Sequence, residues 1–441
     1  MPKLEYISRE EMKDLPPDQL AWACRINALY MVAKAGRGHL GTSLSSMEAI
    51  LAIRRLMGEN DVFIGSKGHD AAGQYTVSIA LGILDEKYLH EFRTDNLPGH
   101  PVVGIPGISA NLGSLGMGLS KSIGFARSGK GVVYCLLGDG EMMEGQNWEA
   151  ALFVKKKQVE NVIAIVDCNG LSQDTAAFLF PEDIVEIFRG AGWKVLVVID
   201  GNDYDSVERS LKSARQNISA GPWAILLLTI KGLGISEFAG QSHSHAGPPE
   251  DYEGALLELK AHLPPNLKYT EGDEYNPAAS IPHPLYKTFG EVVAKVMEED
   301  EKIVLLTADT ARDLFVYDLR DVFPGRVIDC GIAEQSMVSI ASALALDGYK
   351  PIVVTYARFL SRAYEQIYNQ VTEGTSVIYV GSMAGKLPDN GAGISHESLN
   401  DETCMATMMP VITPGNETAV DLALRRALMS DTSVYIRLMQ Q

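Results

Sequence analysis

Short, unbroken apolar runs recur along the chain, each rich in Val and Ile and each stopped by Gly, Asp or Asn. In the first part they are GVVYCLLGDG (131–140), NVIAIVDCNG (161–170), WKVLVVIDGN (193–202) and WAILLLTIKG (223–232). In the second they are KIVLLTADT (302–310), RVIDCGIAE (326–334), KPIVVTYA (350–357), TSVIYVGSMAG (375–385) and PVITPGN (410–416). A strand wetted on one face alternates apolar and polar residues. A strand without that alternation is covered on both faces, which is the condition of a parallel sheet. Helical patterns such as NWEAALFVKKKQ, DSVERSLKSARQ and EQSMVSIASALALDG lie between the runs. Strand and helix alternate, so the expected fold class is α/β with parallel sheets.

The rhythm breaks between Leu263 and Pro284, which hold five prolines and no apolar periodicity. The expected organisation is a domain over 1–262, a linker over 263–284 and a second domain over 285–441. Hydrophobic residues make up 46% and charged residues 21%, so large cores are available and wholesale disorder is excluded. Thirty-eight Lys and Arg against 56 Asp and Glu leave a net charge of −18. Such a chain repels phosphate backbones and anionic lipid, so neither nucleic acid nor a membrane surface is an expected partner. No apolar run approaches the ~20 residues needed to span a bilayer. The N-terminus, MPKLEYISREEMKDL, has no apolar core of a secretory signal. Five scattered cysteines without a CxxC pair argue against a zinc or disulfide framework and place the chain in the reducing cytoplasm.

In open α/β sheets, ligands bind beyond the carboxyl ends of strands. The run LLGDGEMMEGQNWEA ends a strand there. Gly138 and Gly140 let the backbone approach a ligand closely, and Asp139 supplies a hard carboxylate oxygen. The helix starting near Glu144 turns its free N–H groups to the same place. The next strand ends at Asp167-Cys168-Asn169-Gly170, so Asn169, 30 residues after Asp139, adds a neutral oxygen. One carboxylate and one amide oxygen, with backbone carbonyls and phosphate oxygens, suit Mg²⁺ or Ca²⁺ on a diphosphate.

GDGEMMEGQNWEA with the CNG strand end resembles the thiamine diphosphate motif of transketolase-type enzymes. The resemblance covers nearly the whole chain through KAGRGHLGTSLS (34–45), GSKGHDAAGQY (65–75), LPGHP (97–101), ANLGSLGMGLS (110–120) and DCGIAEQSM (329–337). It implies two thiamine diphosphate-binding-fold domains, a diphosphate (PP) domain followed by a pyrimidine (Pyr) domain, without the family's usual third C-terminal domain. It implies thiamine diphosphate and Mg (or Ca) as cofactors, the metal held by Asp139, Asn169 and Leu171. His69, Gly113, Ser114, Leu115, Gly138, Asp139, Gly140, Glu144, Asn169 and His245 then line the cofactor in the first domain.

His39, His69 and His100 each follow a glycine in a loop, where packing gives a histidine no reason to be. They match the family's GHxG, SxGH and PGHP segments and resemble the histidines that line the substrate channel. His245, in QSHSHAG, resembles a later histidine beside the cofactor, with His243 in reserve. Glu334 starts a helix, where a carboxylate is favoured by ~0.3–1 kcal/mol in any protein. It also resembles the glutamate that hydrogen-bonds N1′ of the aminopyrimidine and so favours the tautomer that accepts the thiazolium proton. Glu334, His39, His69, His100 and His245 are the expected catalytic residues. Tyr356 and Phe359 resemble the aromatics around the pyrimidine, and Asp309 an aspartate near the cofactor. In GSMAGKLPDNGAGISHES, Met383 stands where the family usually has a histidine. Asp389 and His396, with His39 and His100, are the expected substrate residues.

The implied activity is transfer of a two-carbon ketol unit from a ketose-type donor to an aldehyde acceptor. Two alternatives stand beside it: a decarboxylative, deoxyxylulose-phosphate-synthase-like acyloin synthase using a 2-oxo acid, and a non-catalytic cofactor-binding subunit completed by a separate C-terminal-domain chain. The implied assembly is a homodimer with active sites at the subunit interface, acting on small-molecule substrates.

Overall fold

Residues 3–275, 283–387 and 392–440 are described by the structure, a computed structural model. In chain order the strands are β1 (Lys3–Tyr6), β2 (Val62–Gly65), β3 (Val133–Gly138), β4 (Val162–Cys168), β5 (Lys194–Val198), β6 (Trp223–Leu228) and β7 (Thr270–Glu274). They continue as β8 (Ile303–Thr307), β9 (Val327–Asp329), β10 (Lys350–Tyr356), β11 (Ile378–Ala384), β12 (Val411–Ile412) and β13 (Val434–Met439). Of the described residues, 3–275 with 392–395 form one unit, and 283–387 with 396–440 form another.

The first unit is built on a parallel sheet in the order β2-β3-β4-β6-β5. Every residue of β3 and β4 is buried. Alternate residues feed two separate cores. Ile163 and Ile165 join one with Tyr134 and Leu136, while Val162, Ala164 and Val166 join the other with Val133, Cys135 and Leu137. That two-sided burial is why these runs lack a polar alternation. The helix Pro17–Ala35, buried along most of its length, belongs to the first of these cores.

The second unit repeats the plan with a parallel sheet ordered β12-β13-β11-β10-β8-β9. Here Leu305, Ile352, Val354, Ile378 and Val380 face one core, and Val304, Leu306, Val353 and Tyr379 the other. The α/β class with two parallel sheets is as the sequence implies.

The stretch 263–284 departs from a plain linker. Its residues up to 275 lie in the first unit, and β7 pairs antiparallel with β1 at the N-terminus. β7 is TEGDE, mostly exposed. A two-stranded ribbon needs only backbone donors and acceptors, so it leaves no apolar signal. Among the described residues, no helix is long and apolar enough to cross a membrane.

Candidate active site

β3 and β4 lie side by side with Gly138 opposite Asp167, so the turns that follow them emerge together. Asp139 Oδ2 accepts the Gly170 N–H at 2.6 Å and Oδ1 accepts the Gly140 N–H at 2.8 Å. One carboxylate thus ties the two strand ends. It is 4% exposed. Burial, then the nearby Asp167 carboxylate, push its pKa up to about 6, against the hydrogen bonds from Gly170 and Gly140. A carboxylate in that position gains from a cation beside it. The turn is open on its outer side: Gly170 is exposed and a Cβ there would meet nothing within 4 Å. Asn169 is half-buried. Its Nδ2 donates to Asp167 at 3.3 Å and its Oδ1 accepts the Leu171 N–H at 3.1 Å, leaving a second lone pair on that oxygen.

The surrounding loops are held close. A Cβ on Gly68 would lie 2.7 Å from the Gly113 nitrogen, so His69 and the Gly113-Ser114-Leu115 turn are neighbours through bare backbone. At the next residue, a Cβ on Gly116 would lie 2.6 Å from Glu144 Cβ, which places Glu144, itself buried, beside the same turn.

Buried charges that the sequence patterns do not single out support this arrangement. Lys67 and Asp167 form an ion pair inside the unit, both almost wholly enclosed. Asp167 also accepts from Ser45 Oγ at 2.7 Å and from Thr229 Oγ1. Burial opposes both charges. The pairing prevails, so Lys67 stays above and Asp167 below the ordinary range. Glu141 accepts from Ser66 Oγ at 2.5 Å, Gly116 N–H at 2.8 Å and Gly138 N–H at 3.2 Å, joining three loops. The one hint in the sequence is a charged residue set against the end of an apolar run.

Four histidines gather in this unit. The His39 ring centroid lies 5.7 Å from that of His69, 5.3 Å from His100 and 5.0 Å from His245, and His69 and His245 are 5.4 Å apart. Burial lowers all three partners of His39, taking His100 to about 4 and His69 and His245 well below the ordinary value. Lys231 and Lys67 push His69 and His245 further down. These imidazoles are therefore neutral at physiological pH. His243 is exposed, contacts the Glu237 carbonyl at 3.0 Å and packs edge-on to Phe238.

In the second unit, Glu334 is the first residue of the helix Glu334–Leu346 and is 3% exposed. Burial raises its pKa to about 7. Arg362 stands 3.8 Å from its Oε2. Tyr356 and Phe359 lie with ring centroids 4.9 Å apart, and His396 packs against Phe359 at 5.2 Å and Tyr356 at 6.2 Å. The Tyr356 hydroxyl donates to Asp313. Asp309 follows β8, buried, with φ +53° and its N–H on Asp329 at 3.0 Å. Met383 packs its side chain on the unit's core, and its N–H donates to the Tyr286 oxygen at 2.9 Å. Asp389 lies outside the described residues.

Residues 17–303 match the family described as "Transketolase, thiamine diphosphate binding domain", and residues 284–441 match "Transketolase, pyrimidine binding domain". Human transketolase is 31% identical over 457 residues, covering 94% of this chain and 72% of that protein. Mouse transketolase-like protein 2 is 32% identical over 359 residues, 74% of this chain and 57% of that protein, so the match spans little more than half of that relative. One subunit of an apulose-4-phosphate transketolase from Actinobacillus succinogenes is 36% identical over 245 residues, 51% of this chain and 88% of that polypeptide. Among solved structures, the transketolase of Campylobacter jejuni superposes with a TM-score of 0.53 at 22% identity, over 96% of this chain and 78% of that one, a likeness of fold.

Proposed function

This chain belongs to the transketolase family, and from that we propose that it is a thiamine diphosphate- and Mg²⁺-dependent enzyme that moves a two-carbon ketol unit from a ketose-type donor to an aldehyde acceptor. The observation that carries the reading is the Asp139 carboxylate. It is buried, crowded by Asp167, and fastened to Gly170, the residue between Asn169 and Leu171. The donor set fits the group: hard oxygens only, as Mg²⁺ prefers, with open space over Gly170.

Asp139, the Asn169 amide oxygen and the Leu171 carbonyl would hold the metal and, through it, the diphosphate. His69, His245 and the Gly113–Leu115 turn would orient it. When bound, thiamine diphosphate supplies the electron sink for cleaving a carbon–carbon bond beside a carbonyl, which no side chain provides. Glu334 would hold a proton opposite the pyrimidine ring. With a pKa of about 7 it can both give and take that proton near neutral pH. Tyr356 and Phe359 would bracket the ring, with Asp309 near the cofactor. His39 and His100, with ring centroids 5.3 Å apart, would hydrogen-bond substrate hydroxyls, with His396 and Asp389 assigned to the acceptor. The same reading makes the chain a homodimer with its sites at the subunit interface.

The test is to incubate the purified protein with thiamine diphosphate, Mg²⁺ and a donor panel of ketose phosphates, free ketoses, hydroxypyruvate and pyruvate, and to follow covalent adducts by mass. A two-carbon ketol adduct from a ketose supports the proposal. An adduct only from pyruvate, with carbon dioxide released, overturns it.

A further inference from the structure

We propose that Lys231 is a positioning residue that fixes His245 as the tautomer protonated on Nε2, so that His245 offers a ligand a donor rather than an acceptor. Lys231 follows β6 and is 1% exposed. Its Nζ donates to the Ser172 carbonyl at 2.8 Å and lies 3.4 Å from His245 Nδ1. An ammonium has three N–H groups and no lone pair. The nitrogen facing it must therefore carry the lone pair, and in a neutral imidazole the proton then sits on the other nitrogen.

His100 shows the opposite polarity. Its Nδ1 lies 2.6 Å from the Ala392 carbonyl, which can only accept, so Nδ1 carries the proton and Nε2 the lone pair. The two rings flank His39 at 5.0 and 5.3 Å. The cluster thus combines a donor and an acceptor set by two different neighbours.

The charges that face His245 all disfavour a second proton. Burial acts first in that direction, then the Lys231 and Lys67 ammoniums; His39, His100 and His69 are the titratable rings packed around it. Adding that proton would turn Nδ1–H against the Lys231 ammonium. The backbone of the His245 turn has its own anchors. Gly247 N–H donates to Gly38 O at 2.7 Å, and Gly41 lies so close to Ser244 that a Cβ there would sit 2.5 Å from its carbonyl oxygen. Removing the Lys231 charge therefore changes what His245 faces without releasing the turn.

The use of this donor in catalysis rests on the function proposed above; the tautomer itself does not. The experiment labels the full-length chain with ¹⁵N-histidine and records two-bond ¹H–¹⁵N correlations of the imidazoles at neutral pH without cofactor. Loss of one ring's signals in His245→Asn assigns them. The expected wild-type pattern for His245 is Nε2 protonated and Nδ1 bare. In Lys231→Met the preference is lost and His245 takes up a proton at higher pH; in Lys231→Arg the wild-type pattern stays. A wild-type His245 protonated on Nδ1, or a folded Lys231→Met with unchanged tautomer and titration, overturns the proposal. The wild-type pattern decides even if Lys231→Met does not fold. Titrating thiamine diphosphate and Mg²⁺ into the same sample reports separately on the proposed function, so either idea can fail alone.

Discussion

Asp139 accepts from backbone N–H groups on both sides of the β3–β4 junction, so its truncation removes a metal oxygen and the tie between two turns at once. Asp139→Ala and Asn169→Ala should each weaken Mg²⁺-dependent binding of thiamine diphosphate by at least tenfold, about 1.4 kcal/mol, in calorimetric titration. Wild-type affinity in both would remove the diphosphate assignment. Glu334 makes a two-sided prediction. Its pKa rises on folding, from 4.5 to about 7, so the folded chain holds the proton more tightly than the unfolded one. Stability from that proton is complete below the unfolded value and is lost as pH rises through about 7. The deficit in alkaline buffer is on the order of 3 kcal/mol. Glu334→Gln should therefore be more stable than wild type to urea in alkaline buffer and equal to it in acid. The same variant should slow exchange of the C2 proton of bound thiamine diphosphate by ~10²–10⁴-fold. Unchanged exchange would leave Glu334 as a helix-terminus residue. Asp139, Asn169 and the loop histidines were legible because each interrupts an apolar or glycine-rich pattern. Lys67, Asp167 and Lys231 were not, since a charge at the end of a strand reads as surface until its partner, up to 100 residues away, is known.

Among the elements, the long buried strands announced themselves because both faces feed cores. β2, VFIG, is too short for such a run, and in β13 the buried Arg437 breaks the apolar series. That arginine is matched across the fold by Asp401, with Nε–Oδ2 at 2.7 Å, and by Glu402. A pattern search along the chain cannot see such compensation. Loop placement was equally hidden, as with the meeting of the Gly68 and Gly113 turns. Gly68→Ala would put its Cβ 2.7 Å from the Gly113 nitrogen and 2.9 Å from the Leu112 carbonyl carbon, both backbone. The cost should be ~1–3 kcal/mol, seen as a lower urea midpoint. A variant with the wild-type midpoint would show that the two turns are free to separate.

For the whole molecule, the proposed homodimer is tested by sedimentation of the purified chain alone. Twice the 47.9 kDa chain mass is expected, with stable obligate interfaces of this kind burying roughly 2,000 Å² or more. A monomer that still binds thiamine diphosphate tightly would contradict it. The two-unit plan was readable from the restart of strand–helix alternation after Pro284. The assignment of 263–275 to the first unit was not, because β7 is joined to β1 across nearly the full length of that unit.

The enclosed pair of Lys67 and Asp167 limits the routes by which this sequence can change. Removing one partner of such a pair strands the other and typically costs ~3–5 kcal/mol, whereas replacing both with apolar groups is often neutral. Ser45 and Thr229 also donate to Asp167, so four positions spread from residue 45 to residue 229 share one buried hydrogen-bonded cluster. A mutational walk that removes Lys67 or Asp167 alone passes through a destabilised intermediate. Diversified libraries should vary the four jointly, and lineages of this fold should exchange them as a block.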